Sequence, residues 1–339
     1  MEHPHKLDLA IGGQALIEGV MIRSPSWVAI AVRKPDGSII VKKDPFKSLT
    51  TRVKLFKLPV VRGIVTVLET MVLGMNALNF SAEQALGEDE KDSKKPKEGA
   101  IAKGAALTLD VAADGVTVLM QPSRRRSLAN AASFALSIII SIVFAIFLFK
   151  FIPLFLTEQL RKIFPALANS GILFNVVDGL IRVTIFFLYL FILSLFPSFK
   201  RVFQYHGAEH MSVFTYEKGH ELIPANVEKE SPRHPRCGTS FIIIILIVSI
   251  LLLMLVPRHP VFWLNFLRRL AIVPLIMGTG YEILKWTAKH RSHALVRLLT
   301  YPGILTQYIT TKKPDLGQIE VALAATKAAV EAEGQQKNN

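Results

Sequence analysis

The sequence predicts a mainly α-helical integral membrane protein with about four transmembrane helices and a small N-terminal β unit. Three observations predict it. Hydrophobic residues make up 51% of the 339-residue chain, and the mean hydropathy is +0.38. The apolar residues gather into long runs with few charges, the pattern a bilayer selects. The basic residues cluster beside those runs, so the net charge of +14 suits an anionic cytoplasmic leaflet. Nucleic-acid contact, the usual reading of such a charge on a soluble chain, is the less favoured one here.

Residues 1–8 are polar, so no cleavable signal peptide is expected and internal helices must drive insertion. Residues 9–50 read as β structure inside an N-terminal unit of 1–57. Short apolar runs are broken by glycine, and Pro35-Asp36-Gly37-Ser38 is a turn signal. Residues 58–85 read as a helix. Arg62, Glu69, Asn76 and Asn79 interrupt its apolar residues, which favours an amphipathic, membrane-associated helix over a fifth span. The stretch 86–123 opens on a charged run and reads as a solvated linker. The transmembrane domain occupies 124–300, with spans expected at 131–156, 172–197, 241–256 and 262–286, each near the roughly 20 residues that cross about 30 Å of hydrocarbon.

Basic flanks orient the spans. Arg124-Arg125-Arg126, Lys200, Arg201, Lys285, Lys289 and Arg291 mark cytoplasmic ends, while Arg258, Arg268 and Arg269 blur the rule. This predicts a multi-pass protein of the cytoplasmic (inner) membrane, with both termini and the loop at 200–240 cytoplasmic. Within the tail, 301–339, residues 319–333 alternate Ala, Val, Leu and Glu at helical spacing.

The stretch Tyr205-His206-Gly207-Ala208-Glu209-His210 is the most informative. On a helix His206 and His210 share a face and can hold one transition metal. Glu209 between them gives the H-x-x-E-H order of the inverted zinc proteases, in which the glutamate activates a metal-bound water. This predicts a divalent metal, zinc, with Glu209 as general base. Gly207 counts against the helix by about 1 kcal/mol relative to alanine. The plain alternative is that two histidines beside the membrane bind headgroups or cap a helix. Further ligands are sought in His234 and Cys237, three apart before the third span, and in Glu282, a carboxylate near the end of the fourth that needs a partner. For Glu282 that partner is a metal, Lys285 or a histidine; for Cys237 the plain reading is a small buried residue. Cys237 is the single cysteine, which excludes an intramolecular disulfide.

Asn175, Asp178 and Arg182 lie on one stripe of the second span. A helix–helix clamp is favoured over a polar path. The run Gly12-Gly13-Gln14-Ala15-Leu16-Ile17-Glu18-Gly19-Val20-Met21 lacks the spacing of a nucleotide loop. Glu18 and Arg23 are active-site or plain surface residues.

That glycine run, the Tyr205–His210 stretch, His234-Pro235-Arg236-Cys237-Gly238-Thr239-Ser240-Phe241 and Thr310-Thr311-Lys312-Lys313-Pro314-Asp315 together resemble the YqhQ-like family of bacterial membrane proteins of unknown function. The resemblance covers nearly the whole chain and is poorest at 86–123. The family's label, predicted metal-dependent enzyme, implies a site and supplies no substrate. Three readings follow. The first is a metal-dependent hydrolase at the cytoplasmic face acting on a protein or lipid-linked substrate. The second is a membrane scaffold whose metal site is closed and structural. The third is a small transporter, which with so few spans requires a homodimer.

Overall fold

The computed structural model describes residues 11–85, 128–235, 237–290 and 293–338. The expected linker, the tribasic run at 124–126 and Arg291 lie outside them. Four antiparallel strands come first: β1 (Gly12–Leu16), β2 (Gly19–Arg23), β3 (Trp27–Arg33) and β4 (Ile39–Pro45), in the order β1-β2-β3-β4. The β1–β2 hairpin pairs Leu16 with Gly19, leaving Ile17-Glu18 as a two-residue turn. Gly37, at φ +85° in the β3–β4 turn, supplies the left-handed conformation that the sequence signal there anticipates.

Helices follow: α1 (Leu49–Arg52), a 3₁₀ turn at Lys54–Lys57, α2 (Val61–Ala85), α3 (Leu128–Ile146), a π turn at Phe147–Phe151, α4 (Ile152–Ile163), α5 (Pro165–Asn169), α6 (Gly171–Ser194), α7 (Pro197–Glu217), α8 (Pro224–Val227), α9 (Gly238–Met254), α10 (Phe262–Ala271), α11 (Val273–Lys289), α12 (Ala294–Thr310) and α13 (Leu316–Asn338). Among the described residues, four helical stretches are long and apolar enough to cross a membrane: Val61–Ala85, Leu136–Ile163, Gly171–Ser194 and Phe262–Thr287. The expected third span appears as the shorter apolar helix α9. The expected fourth breaks near Ile272, where Pro274 opens α11.

Strands β2 and β3 are buried on both faces, which is why Val20-Met21-Ile22 and Val28-Ala29-Ile30-Ala31-Val32 read as continuous apolar runs rather than alternating ones. On one face Val20, Ile22, Ala29 and Ala31 meet Tyr205, Ala208 and Val213 of α7 and the alanine-rich side of α13. Small residues on both surfaces let the helix lie close to the sheet. The other face carries Leu16, Met21, Val28, Ile30 and Val32, which pack on Leu73, Ala77 and Phe80 of α2. The C-terminal helix is pinned at both ends. Asp315 and Gln318 form a reciprocal cap at its start, through Gln318 N to Asp315 Oδ1 at 2.8 Å and Asp315 N to Gln318 Oε1 at 2.9 Å. Near its end Glu333 accepts from Ser24 Oγ at 2.8 Å and from Ser26 N at 3.0 Å.

The polar stripe on α6 forms the expected clamp, and a distant arginine joins it. Asp178 Oδ2 accepts from Arg182 at 2.5 Å and from Arg269 of α10 at 2.8 Å. Arg182 also donates to Ser249 Oγ of α9 at 2.8 Å and to the Phe149 carbonyl at 3.1 Å. Asn175 bonds Arg269 and donates to the Leu253 carbonyl at 2.8 Å. One carboxylate thus ties together α6, α9, α10 and the π turn.

Candidate metal centre

The motif on α7 is helical throughout despite its glycine. A Cβ at position 207 would stand 2.1 Å from the Lys312 carbonyl oxygen, so only glycine lets the segment between α12 and α13 cross the helix there. That crossing is held by Lys312 N donating to the Phe203 carbonyl at 2.9 Å. It also presents the Thr310 carbonyl to His206 Nδ1 at 2.9 Å. His210 Nδ1 meets the Pro232 carbonyl at 2.7 Å.

A carbonyl oxygen only accepts, so each ring carries its proton on Nδ1 and leaves the Nε2 lone pair free. Both rings stand beside the Cys237 sulfur, His206 with Nε2 at 3.2 Å and His210 within the same group of ligand atoms. The ligand atoms of His206, His210 and Cys237 lie within 4.8 Å of one another. Sγ already accepts from Thr239 N at 3.4 Å and Thr239 Oγ1 at 3.1 Å as the N-cap of α9. A thiol has one proton to give and faces two imidazole acceptors. A cation satisfies all three atoms at once. Histidines whose second nitrogen is oriented by a carbonyl are the usual metal-ligating arrangement. Burial pushes His210 below its ordinary pKa of 6.5, against the opposing bond to Cys237, which keeps the ring in its neutral, ligating form.

Glu209 is 4% exposed, with Oε2 3.5 Å from His210 Nε2. It stands beside the three-atom group and outside it. Strand β1 reaches it through a second glycine, because a Cβ at Gly13 would lie 2.7 Å from its Cγ. The glycine run of the first strand therefore seats the sheet against the glutamate.

Two residues sought as ligands go elsewhere. His234 neighbours the cluster, its ring 5.7 Å from that of His210. Gln307 clamps its backbone from both sides, at 2.7 and 2.9 Å, and its Nε2 faces Glu217 Oε2 at 3.4 Å. Glu282 takes a paired grip from Arg62 of α2, Nε to Oε1 at 2.6 Å plus a second bond to Nη2. The partner expected in a histidine, a metal or Lys285 is an arginine 220 residues away.

Glu18, in the β1–β2 turn, meets α7 where the motif begins. At φ 52° in its hairpin turn, it bonds Arg201 through both carboxylate oxygens and accepts from Tyr205 Oη at 3.1 Å. Burial raises its pKa, but the Arg201 bond and charge outweigh that and hold it below 4.5. Sequence reasoning missed the Thr310 and Pro232 carbonyls, Thr239 and the crossing at Lys312. The Thr310–Asp315 run carried the signal: it holds the orienting carbonyl, the crossing and the helix cap in six residues.

One test of this geometry is Gly207→Ala. Alanine would gain about 1 kcal/mol of helix propensity in open space, whereas forcing a Cβ against a backbone carbonyl costs about 1–3 kcal/mol. A net fall in thermal stability is expected in detergent-solubilised protein, and a rise would show that nothing crosses there.

The chain matches a family model described as "Protein of unknown function (DUF1385)" over residues 58–332. It is 35% identical over 319 residues to the "Uncharacterized protein YqhQ" of Bacillus subtilis (strain 168), across 94% of this chain and 92% of that protein. No solved structure matches it. A family match over most of the chain, with a relative aligned along nearly all of it, establishes that the chain belongs to the DUF1385 family.

Proposed function

We propose that His206, His210 and Cys237 hold a divalent metal, zinc, and that the protein is a metal-dependent hydrolase at the membrane surface. The observation that carries the reading is the convergence of two carbonyl-oriented Nε2 lone pairs and one sulfur inside 4.8 Å. Three protein ligands leave a fourth position open, as catalytic zinc sites do, while structural sites close it. With His234 turned towards Glu217, the closed four-ligand site is the less favoured arrangement. Zinc so held supplies Lewis acidity that brings a water's pKa to about 7. Glu209, its Oε2 3.5 Å from His210 Nε2, would serve as the general base beside such a centre. Gly13 leaves room for the carboxylate on the sheet side, and the two backbone carbonyls keep both imidazoles aimed.

A second reading rests on burial. His210 and Cys237 are 3% and 4% exposed, and the cluster joins α7, the start of α9 and the end of α12. A metal there also serves as a joint, and the protein is then a scaffold. The two readings separate on Glu209→Gln. Zinc-loaded protein in lipid bilayers is incubated with a peptide mixture and with ester-bearing phospholipids. The hydrolase reading expects cleavage of one class, lost in Glu209→Gln with zinc retained. Equal, absent cleavage of both classes by both proteins leaves the joint.

A further inference from the structure

We propose that α2 does not cross the membrane: it docks on the surface of an anionic bilayer, and the crossing is made by the shorter helix α9. The inference is independent of the metal. It starts from contacts that fix sides. The sheet packs directly on α7 and α13, so all three lie on one side of the bilayer. An even number of crossings must therefore separate β4 from α7. Three stretches in the described residues between them are long and apolar enough to cross: Val61–Ala85, Leu136–Ile163 and Gly171–Ser194. With 86–123 read from its charged opening as a solvated linker that makes no crossing, one of the three stays on the surface.

Packing identifies it. From Leu73 to Ser81, α2 lies against the sheet: Leu73, Ala77 and Phe80 pack on its apolar face, and a Cβ at Gly74 would meet the Gln14 side chain at 2.5 Å. The sheet's last strand carries exposed Lys42 and Lys43, so this half of the helix stands at water level. What remains, residues 61–72, rises about 18 Å at 1.5 Å per residue, against about 30 Å of hydrocarbon.

The same rule between α7 and α13 asks for an even number, and Phe262–Thr287 supplies one crossing. The second is α9. Cys237 at its start touches His206 of α7, and the Leu253 carbonyl at its end accepts from Asn175, near the start of α6. Since the far end of α6 leads into α7, α9 runs the same depth as α6 in the opposite direction. Its 17 residues rise about 26 Å, a shortfall that local thinning accommodates.

The surface α2 presents fits a bilayer. Opposite the sheet, Leu68, Met71, Val72 and Met75 stand 51%, 62%, 48% and 42% exposed at i, i+3, i+4 and i+7. That is one apolar stripe facing acyl chains, on a helix whose start is anchored to α11 by Arg62 on Glu282 and Gly63 against Gly278. Just before it, exposed Lys47, Arg52, Lys54 and Lys57 alternate with exposed Val53, Leu55 and Leu58. Basic groups interleaved with apolar ones match anionic headgroups over acyl chains.

Single cysteines in the full chain test this in sealed vesicles with a membrane-impermeant maleimide, wild type with its buried Cys237 being the background. Lys54→Cys precedes α2 and Glu83→Cys lies in its last turn, Lys229→Cys marks the metal-centre side, and Pro257→Cys follows α9. The expected result is Lys54, Glu83 and Lys229 labelled from one side and Pro257 from the other. Labelling of Lys54 and Glu83 from opposite sides overturns the surface helix, and labelling of Pro257 with Lys229 overturns the α9 crossing. A nitroxide at Met71→Cys, in phosphatidylcholine vesicles containing phosphatidylglycerol, tests the lipid contact. Relaxation by oxygen over a water-soluble nickel chelate is expected. The reverse preference, or protection from both, places water or protein on the stripe and overturns it.

Discussion

Replacing Asp178 by alanine is expected to abolish recovery of folded protein. The carboxylate is fully buried and receives Arg182 and Arg269, themselves 2% and 4% exposed. Its removal leaves two guanidinium groups inside the helix bundle with no countercharge. Breaking a buried ion pair by removing one partner costs about 3–5 kcal/mol, and here one deletion orphans two charges. Set against a total stability of about 5–15 kcal/mol, that decides whether the bundle assembles. Serine and backbone contacts from Ser249 and Phe149 remain for Arg182 and do not replace a charge. Asp178→Ala combined with Arg182→Met and Arg269→Met should recover much of the loss, because a well-packed apolar replacement of a buried ionic group is often neutral. The measurement is the yield of folded protein in detergent for the single and triple variants, with thermal unfolding of each variant that folds. A single variant as stable as wild type would show that the clamp contributes nothing.

The membrane character and the β unit were legible because each is a local pattern. Apolar runs with few charges mark helices that face lipid, and glycine-broken runs with a Pro-Asp-Gly-Ser turn mark short strands. Burial of β2 and β3 on both faces was hidden for the same reason: a continuous apolar strand does not say how many partners it has. The exposed Leu68–Met75 stripe was half visible, since polar residues among the apolar ones of α2 suggested an amphipathic helix, but the surface it rests on came only from the sheet. The polar residues within α2 and the charge-free run of α9 already favour α9 as the span, and contacts between elements far apart in sequence support the same order.

The site was legible where it is local. His206, Glu209 and His210 are brought together by helical spacing, and Cys237 joins them from the nearest loop. The two other ligand candidates, His234 and Glu282, meet partners distant in sequence. His234 is turned by Gln307, 73 residues on, and Glu282 is taken by Arg62. Gly207 read as a weakness in the helix because a single sequence does not reveal which backbone approaches it. Once Lys312 is seen to cross there, the glycine becomes the reason the Thr310 carbonyl reaches His206.

The most direct test of the central claim is metal content by elemental mass spectrometry on detergent-purified protein. The variants beside wild type are His206→Ala, Cys237→Ser, Glu209→Gln and His234→Ala. Zinc at about a hundred times its dissociation constant should add about 2.7 kcal/mol to the folded state, so the same samples, with and without chelator, report binding a second way through their unfolding temperature. The account predicts about one zinc per chain in wild type, Glu209→Gln and His234→Ala, and its loss from His206→Ala and Cys237→Ser, as a three-ligand site with an unligated glutamate requires. Wild-type protein that holds no metal after zinc is supplied, and whose unfolding temperature ignores the chelator, would contradict it.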